Sequence, residues 1–557
     1  MTNLSHRERW LYTLRYKPVD RVPDCEFATW EQTIARWSHE GMDTHTLVGM
    51  GGETEFLVYY FGLDSENDGP GLDINVGLLP AFERVVLEDR GQKVLFQDED
   101  GAISEQLKPE YGASIPDYIR YAIKTRADWQ RVRDERLDPD CPKRVPQNLE
   151  VYALRLRNAD YLVSVFVGSL YGWIRNWVGV EQLSLMLYDD RPLVEEMIEH
   201  LTQLTLHVLG KLAGKGLKID QGDWWEDMCY KAGPLISPRM FNELMVPRYK
   251  RITDYMHREF GTEFQMLDCD GNIHELIPLW LEGGINVMFP LEAAWTDAYQ
   301  ISSDFGTRVA LRGAFDKRAL IAGPAAIDVE FDRLRPLLQR GGFIPHTDHL
   351  VPPDVSFENY LYYRRKKCEV IGKSWREPGI QRQPGVLTDW RLLGPFDNED
   401  RRGLDTAYLP EQHPEVEGPI MGKHRTILSW KPYTGTTASG YVNLSESISP
   451  EPWCVAYAAC SIYSPRERDS FLELGSDGGL QVWLNGERVW RKDADRLARP
   501  RQDLALIRLR EGWNQVLVKA THAKGEWGFH FRLTDDRGEA WTDLQTASNF
   551  QPGIQKR

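Results

Sequence analysis

With 557 residues, 42% of them apolar, the chain is long enough for two or three domains, each with its own core. Its formal charge of −16 is relieved by no basic stripe, which excludes a nucleic-acid footprint. No apolar run reaches the roughly 18 residues a membrane helix needs. The start, MTNLSHRERWLYTLRYKPVDRVP, shows neither an apolar signal core nor a small-residue cleavage site. Seven cysteines (Cys25, Cys141, Cys229, Cys269, Cys368, Cys454 and Cys460) form no CxxC pair, so a reducing, cytoplasmic setting is expected.

Residues 1–372 alternate two textures. Short apolar runs end in polar or small residues: RVPDCEF, YLVSVFVGSL, LKIDQGDWWED, EFQMLDCDGN, INVMFPLE, RVALRGAFD and GGFIPHTDH. Between them lie helical patterns. In RPLVEEMIEHLTQLTLHVLGKLAG, Leu193, Met197, Leu201, Leu204 and Val208 recur at helical spacing, with Pro192 in the first turn. Further on, Ser237 is an expected N-cap and Pro238 the first helical residue. Continuous apolar strands alternating with helices imply a parallel sheet covered on both faces. About seven or eight such units fit a (β/α)8 barrel, with chemistry at the carboxyl ends of the strands. No G-x-G-x-x-G or P-loop follows a strand, which disfavours a doubly wound nucleotide fold.

Residues 373–385 are polar, rich in Pro and Gly and aperiodic, as in a linker. From 386 to 557 the texture is all-β, an antiparallel sandwich. Leu480, Val482 and Leu484 alternate with outward residues before Asn485-Gly486, a strong two-residue hairpin turn. A second hairpin is expected across LALIRLREGWNQVLVKATH, with Glu511-Gly512 in its turn.

The polar strand ends supply the candidate site. Asp268 and Asp270 in LDCDGN serve either as turn caps or as ligands; Cys269 between them should face away and pack. His346, Asp348 and His349 form the densest imidazole–carboxylate cluster, with Asp348 placed to orient a histidine. Glu226 follows two tryptophans, whose apolar rings raise a carboxyl pKa and suit a general acid. Tyr171, Trp173, Trp177 and Trp225 are candidate pocket walls, and Arg312 and Lys317 candidate anchors for an anionic group. His200 and His207 lie seven apart on an amphipathic helix and are expected to pack or solvate.

RERWLYTLRYKPVDRVP, EDMCYKAGPLISPRMFNELMVPRYKRI, DGNIHELIPLWLEGGINVMFPLE, LRGAFDKRALIAGPAAID and GGFIPHTDHLVPPDVSFENYLYY resemble the uroporphyrinogen decarboxylase superfamily. The resemblance spans most of residues 1–370 and implies a (β/α)8 barrel, in porphyrin decarboxylases or corrinoid-dependent methyltransferases. The arginine-rich R-Q-A-G-R segment of the true decarboxylase is missing from RVPDCEFATWEQTIARW. The zinc-binding H-x-C-G turn of the methyltransferases corresponds to Asp268 and Asp270. Their second cysteine, before a Pro-Pro, corresponds to His349, and Glu226 is the candidate fourth ligand. The resemblance therefore implies a divalent metal (zinc first, manganese or iron next) held by Glu226, Asp268, Asp270 and His349, a harder donor set than two thiolates. It implies methyl transfer or demethylation of a methoxy or hydroxy small molecule, with Glu226, Asp270, His346 and Asp348 as catalytic candidates. The corrinoid would sit on a separate protein, because no D-x-H-x-x-G motif is present. Porphyrin-type decarboxylation, and glycan modification or binding, are the alternatives.

WRLLGPFDN, FLELGSDGGLQVWLNGERVW and EGWNQVLVKATHAKGEWGFHFRLTD resemble galactose-binding-like jelly-roll modules of bacterial glycan-active enzymes. This implies a glycan as ligand, with Trp453, Trp483, Trp490, Trp513 and Trp527 as stacking candidates and Asp477 and Asn485 as hydroxyl partners. The module also leaves homodimerisation open.

Overall fold

The computed structural model describes residues 4–52, 55–64, 69–108, 116–413, 418–435 and 437–549. We number the strands of its principal sheets in chain order. A four-stranded meander comes first: β1 (Val85–Arg90), β2 (Lys93–Gln97), β3 (Ile103–Leu107) and β4 (Asp117–Arg120). Next comes a parallel sheet of six: β5 (Ser164–Gly168), β6 (Gln221–Trp225), β7 (Phe264–Asp268), β8 (Val287–Leu291), β9 (Ala310–Phe315) and β10 (Phe343–Thr347), each beside the next. Helices follow the strands, among them Arg191–Leu212 with Leu193, Met197, Leu201, Leu204 and Val208 buried. Ser237 caps Pro238–Leu244 by accepting from the Met240 amide at 3.3 Å.

Residues 22–29, expected as the first strand, run extended beside β10 without belonging to the sheet. Thr29 forms a parallel bridge with Val351, and the Val351 amide donates to the Ala28 carbonyl at 3.0 Å. What binds this segment instead is charge. Arg364 reaches Asp24 and Glu26 at 2.7 Å each, Lys367 reaches Glu26 at 2.7 Å, and all four side chains are at most 1% exposed. At the other edge, residues 74–78 lie against β5, where Gly168 (φ +94°) leaves room for Val76 and Trp173.

The floor of the sheet is apolar. The helix His6–Leu14, started by a Ser5–Glu8 capping box, sets Trp10 and Leu14 among Leu162, Phe264, Val287 and Ile344. Strand side chains alternate faces. The positions two and four residues above this floor therefore face the same interior, among them Asp268 above Phe264 and Arg312 above Ala310.

Residues after 388 form two large antiparallel sheets, beside a short ribbon of Ile420–Met421 and Ile427–Leu428. One contains β11 (Asp389–Asp397), β12 (Lys431–Thr434), β14 (Cys454–Ser464), β16 (Leu480–Leu484), β17 (Glu487–Lys492), β19 (Gly512–His522) and β21 (Gln545–Ala547). The other contains β13 (Val442–Asn443), β15 (Arg468–Ser476), β18 (Asp503–Leu509) and β20 (Gly528–Thr534). The Asn485-Gly486 hairpin forms between β16 and β17, with both turn residues at positive φ. The second expected hairpin does not form: β18 pairs with β15, while β19 pairs with β14 and β16. The 510–511 turn crosses between sheets, a choice made by burial of both apolar faces rather than by the turn. Trp490 and Trp527 lie in the sandwich core, so they offer no exposed face.

The two halves touch. His530 donates to the Gly49 carbonyl, Arg499 pairs with Asp73 at 2.7 Å, and Phe471 and Leu504 join the core of the helix-covered sheet. Among the described residues, no helix is long and apolar enough to cross a membrane, and none of the seven cysteines is in a disulfide.

Candidate active site

The carboxyl ends of β6, β7 and β10 converge on a cluster of acids. His349 Nε2 lies 3.2 Å from Asp270 Oδ2, with both side chains partly exposed. Asp227, in the left-handed region at φ 45°, accepts from the Asp270 amide at 3.3 Å and pairs with Arg175 at 3.0 Å. Phe27 meets His349 edge-on at 5.7 Å and Phe289 at 4.7 Å. Asp268 sits level with Trp225 on one side and Phe289 on the other. Burial first, then the charges of Asp270 and Asp227, push its carboxyl well above the usual range, against the pull of Arg312.

Asp348 accepts from the Ala293 amide and the Lys317 amide at 3.0 Å each, so it joins the loops after β8 and β9. Burial raises it to about 6 against Lys317. His346 is fully buried; its Nδ1 donates to the Thr347 carbonyl at 2.8 Å, which leaves Nε2 as an acceptor with no hydrogen-bond partner. Burial holds it neutral.

Glu226 does something the sequence did not suggest. Its carboxylate accepts from the amides of Leu170, Tyr171 and Gly172 at 2.9, 2.7 and 3.2 Å and from Ser169 Oγ at 3.0 Å. It anchors the segment that starts the helix Gly172–Val178, and both oxygens are occupied. Among the described residues, no three His, Cys, Asp or Glu side chains are arranged to hold a metal ion. The expected set of Glu226, Asp268, Asp270 and His349 is not gathered as ligands; only Asp270 and His349 touch. The residues present do not fit the implied metal.

The expected pocket walls divide. Tyr171 and Trp177 are 1% exposed, and Trp177 Nε1 donates to Asp100 Oδ1 at 3.1 Å, which ties the meander to the mouth. Trp173 is half-buried and meets Phe166 edge-on at 6.0 Å. Together with Ile74, Val76 and Leu78, these rings line a cavity of about 240 Å³. Phe166 is 43% exposed although its register with Asp223 turns it inward, so the interior is open here. Trp225 lies under the Arg175 guanidinium at 5.3 Å. Arg312 is not at the mouth but buried, over Phe289 at 4.9 Å and Trp10 at 5.3 Å. Lys317 Nζ stands 3.9 Å from Glu292, whose other oxygen accepts from the Gly271 amide at 2.8 Å. Sequence reasoning missed Phe27, Phe166 and Glu292, which carried no local signal. Asp227, read beside Glu226 in DWWED as either a general acid or half of an ion pair with a lysine or arginine, pairs with Arg175.

The uroporphyrinogen decarboxylase (URO-D) family model matches residues 102–363. Among solved structures, a methyltransferase from Methanosarcina mazei is 14% identical, over 66% of this chain and 99% of that one, with a TM-score of 0.42. The PA14 domain of the MpAFP antifreeze protein is 15% identical over 28% of this chain and 66% of its own (TM-score 0.16). A family 35 carbohydrate-binding module from Clostridium thermocellum is 13% identical over 14% of this chain and 71% of its own (TM-score 0.12). No curated protein matches the chain.

Proposed function

Residues 102–363 belong to the uroporphyrinogen decarboxylase family, and from that premise we propose that the chain is an enzyme of this superfamily that demethylates a small methoxy compound. The observation that carries the reading is the place of Asp268, level with Trp225 and Phe289 at the end of β7, where burial strengthens its hold on a proton. Cleavage of a methyl ether breaks the C–O bond. The methyl group leaves to a nucleophilic acceptor, here a corrinoid on a separate protein, and the oxygen keeps the electron pair and takes a proton. Asp268 supplies that proton. The His349–Asp270 pair restores it from solvent, with Asp270 orienting the imidazole. The six strands and the two extended segments are read as one closed (β/α)8 barrel. No step is assigned to a metal, because Glu226 has both oxygens occupied.

Porphyrin decarboxylation is the weaker reading on electrostatic grounds. A polycarboxylate asks for free cations, whereas Asp227 and Asp270 stand at the strand ends and Arg175 is held by Asp227. We take 1–372, 373–385 and 386–557 as enzyme domain, linker and sandwich, a cytoplasmic arrangement that fits cysteines outside disulfides. A glycan ligand for the sandwich remains a proposal that rests on Trp453, Trp483 and Trp513, which are partly exposed.

The test is turnover of methoxy-substituted aromatics with free cob(I)alamin, followed by absorbance, beside uroporphyrinogen decarboxylation. Methyl transfer that falls about 100-fold in Asp268→Asn supports the reading. Uroporphyrinogen decarboxylation by the wild type, without methyl transfer, overturns it.

A further inference from the structure

Strand β5 buries two valines and exposes the ring between them. Val165 and Val167 are at most 2% exposed, whereas Phe166 is 43% exposed on the opposite, inward face. The open space beside it is the cavity of about 240 Å³, bounded by the β2–β3 turn. Its walls are the rings of Phe166, Trp173 and Trp177 and the aliphatic side chains of Ile74, Val76 and Leu78.

These walls are fixed in place. Trp173 meets Phe166 edge-on at 6.0 Å and stacks on Trp177 at 6.2 Å. The outer edge of its indole lies in a notch left by two glycines: a Cβ at Gly168 would come within 2.8 Å of it, and one at Gly77 within 3.1 Å. Arg144, with no exposure, holds the 75–77 segment by donating to the Asn75 and Gly77 carbonyls at 3.0 and 2.9 Å.

The polar groups around the cavity are engaged within the protein. Asp100 accepts from Trp177 Nε1 at 3.1 Å on one oxygen and from Asn176 Nδ2 at 3.0 Å on the other. Asn75 Oδ1 accepts from the Gly77 amide at 3.0 Å. Glu99, more than half exposed, lies 3.7 Å from Arg84. A charged or hydroxyl-rich ligand would have to displace these bonds, whereas an apolar one would not.

We infer that this cavity binds a flat, neutral aromatic ring, the body of the substrate. An apolar cavity of about 150 Å³ accepts benzene, so about 240 Å³ holds one ring with a small substituent. Rings already set edge-on and stacked offer a further ring the geometries in which aromatic pairs attract. The inference rests on the proposed reaction only in taking the bound ring for part of the substrate.

The experiment titrates the full chain with methoxybenzene and with methoxycyclohexane, a puckered neutral ether of nearly equal size, by ligand-observed NMR. Methoxybenzene is expected to bind about fivefold tighter or more. Benzyltrimethylammonium and benzoate, flat but charged, are expected to bind more weakly than methoxybenzene. Trp173→Leu should erase the preference for the flat ring. Ala81→Trp, which adds a ring at the exposed rim, should block binding with an unchanged melting temperature; it decides the matter should Trp173→Leu fail to fold. Equal affinity for the flat and puckered ethers, preference for either ion, binding that survives Ala81→Trp, or no binding to folded wild type overturns the inference. Methoxybenzene binding that Ala81→Trp removes, without methyl transfer to cob(I)alamin, leaves the inference standing and fails the proposed reaction. Methyl transfer that neither substitution alters does the reverse.

Discussion

The Tyr171 amide donates to the Glu226 carboxylate at 2.7 Å. One residue that the sequence named as a pocket wall and another that it named as a ligand are thus bound to each other, and neither faces the substrate space. Glu226→Ala leaves three amides and a hydroxyl without their acceptor in a fully buried place. It should cost about 3–5 kcal/mol. Chemical denaturation checks this; a variant as stable as the wild type would show that the carboxylate anchors nothing.

The His349–Asp270 contact, by contrast, is partly exposed and joins only two strand ends. Asp270→Asn should leave stability within about 0.5 kcal/mol while turnover drops roughly 100-fold. Loss of folding together with activity would assign Asp270 to structure instead.

Arg364 neutralises Asp24 and Glu26, and all three are buried. Replacement by Met leaves the two carboxylates with Lys367 and the partly exposed Lys373 only. The expected loss is about 3–5 kcal/mol, read from urea denaturation, with the N-terminal segment becoming protease-sensitive first. A neutral effect would mean that residues 22–29 are held by their backbone bridge.

Burial pushes His530 down to about 4, from 6.5 when exposed. The folded state therefore binds this proton less readily than the unfolded chain does, so the neutral ring contributes no penalty above pH 6.5. Stability falls as pH drops from 6.5 toward 4, by about 3 kcal/mol in all. Because His530 donates to Gly49, contact between the sandwich and the helix-covered sheet should loosen over that window. His530→Gln keeps a donor without the titration. Thermal melts between pH 4 and 7 should show a shallower slope for the variant; parallel slopes would remove His530 from the account.

Much of this was legible in the chain. The apolar runs ending in polar residues marked β5 to β10, because a strand buried on both faces has to be apolar throughout. The meander of β1 to β4 passed unread, although Asp100-Gly101 between alternating residues announced its central turn. The β18–β19 connection was misread because a turn signal says that the chain reverses, not which sheet receives the next strand.

By itself the sequence determined the parallel sheet, the sandwich and the polar ends of the strands. These follow from periodicity and residue type, which act over neighbours in the chain. Only the tertiary structure decided what each acid does. Glu226 and Asp268 look alike in sequence, both preceded by apolar residues at a strand end. Three backbone amides meet Glu226 and make it an anchor, whereas Asp268 stands level with two rings, and burial and like charges raise its affinity for a proton. A carboxyl group's role is set by the groups within a few ångströms of it, and those arrive from distant parts of the chain.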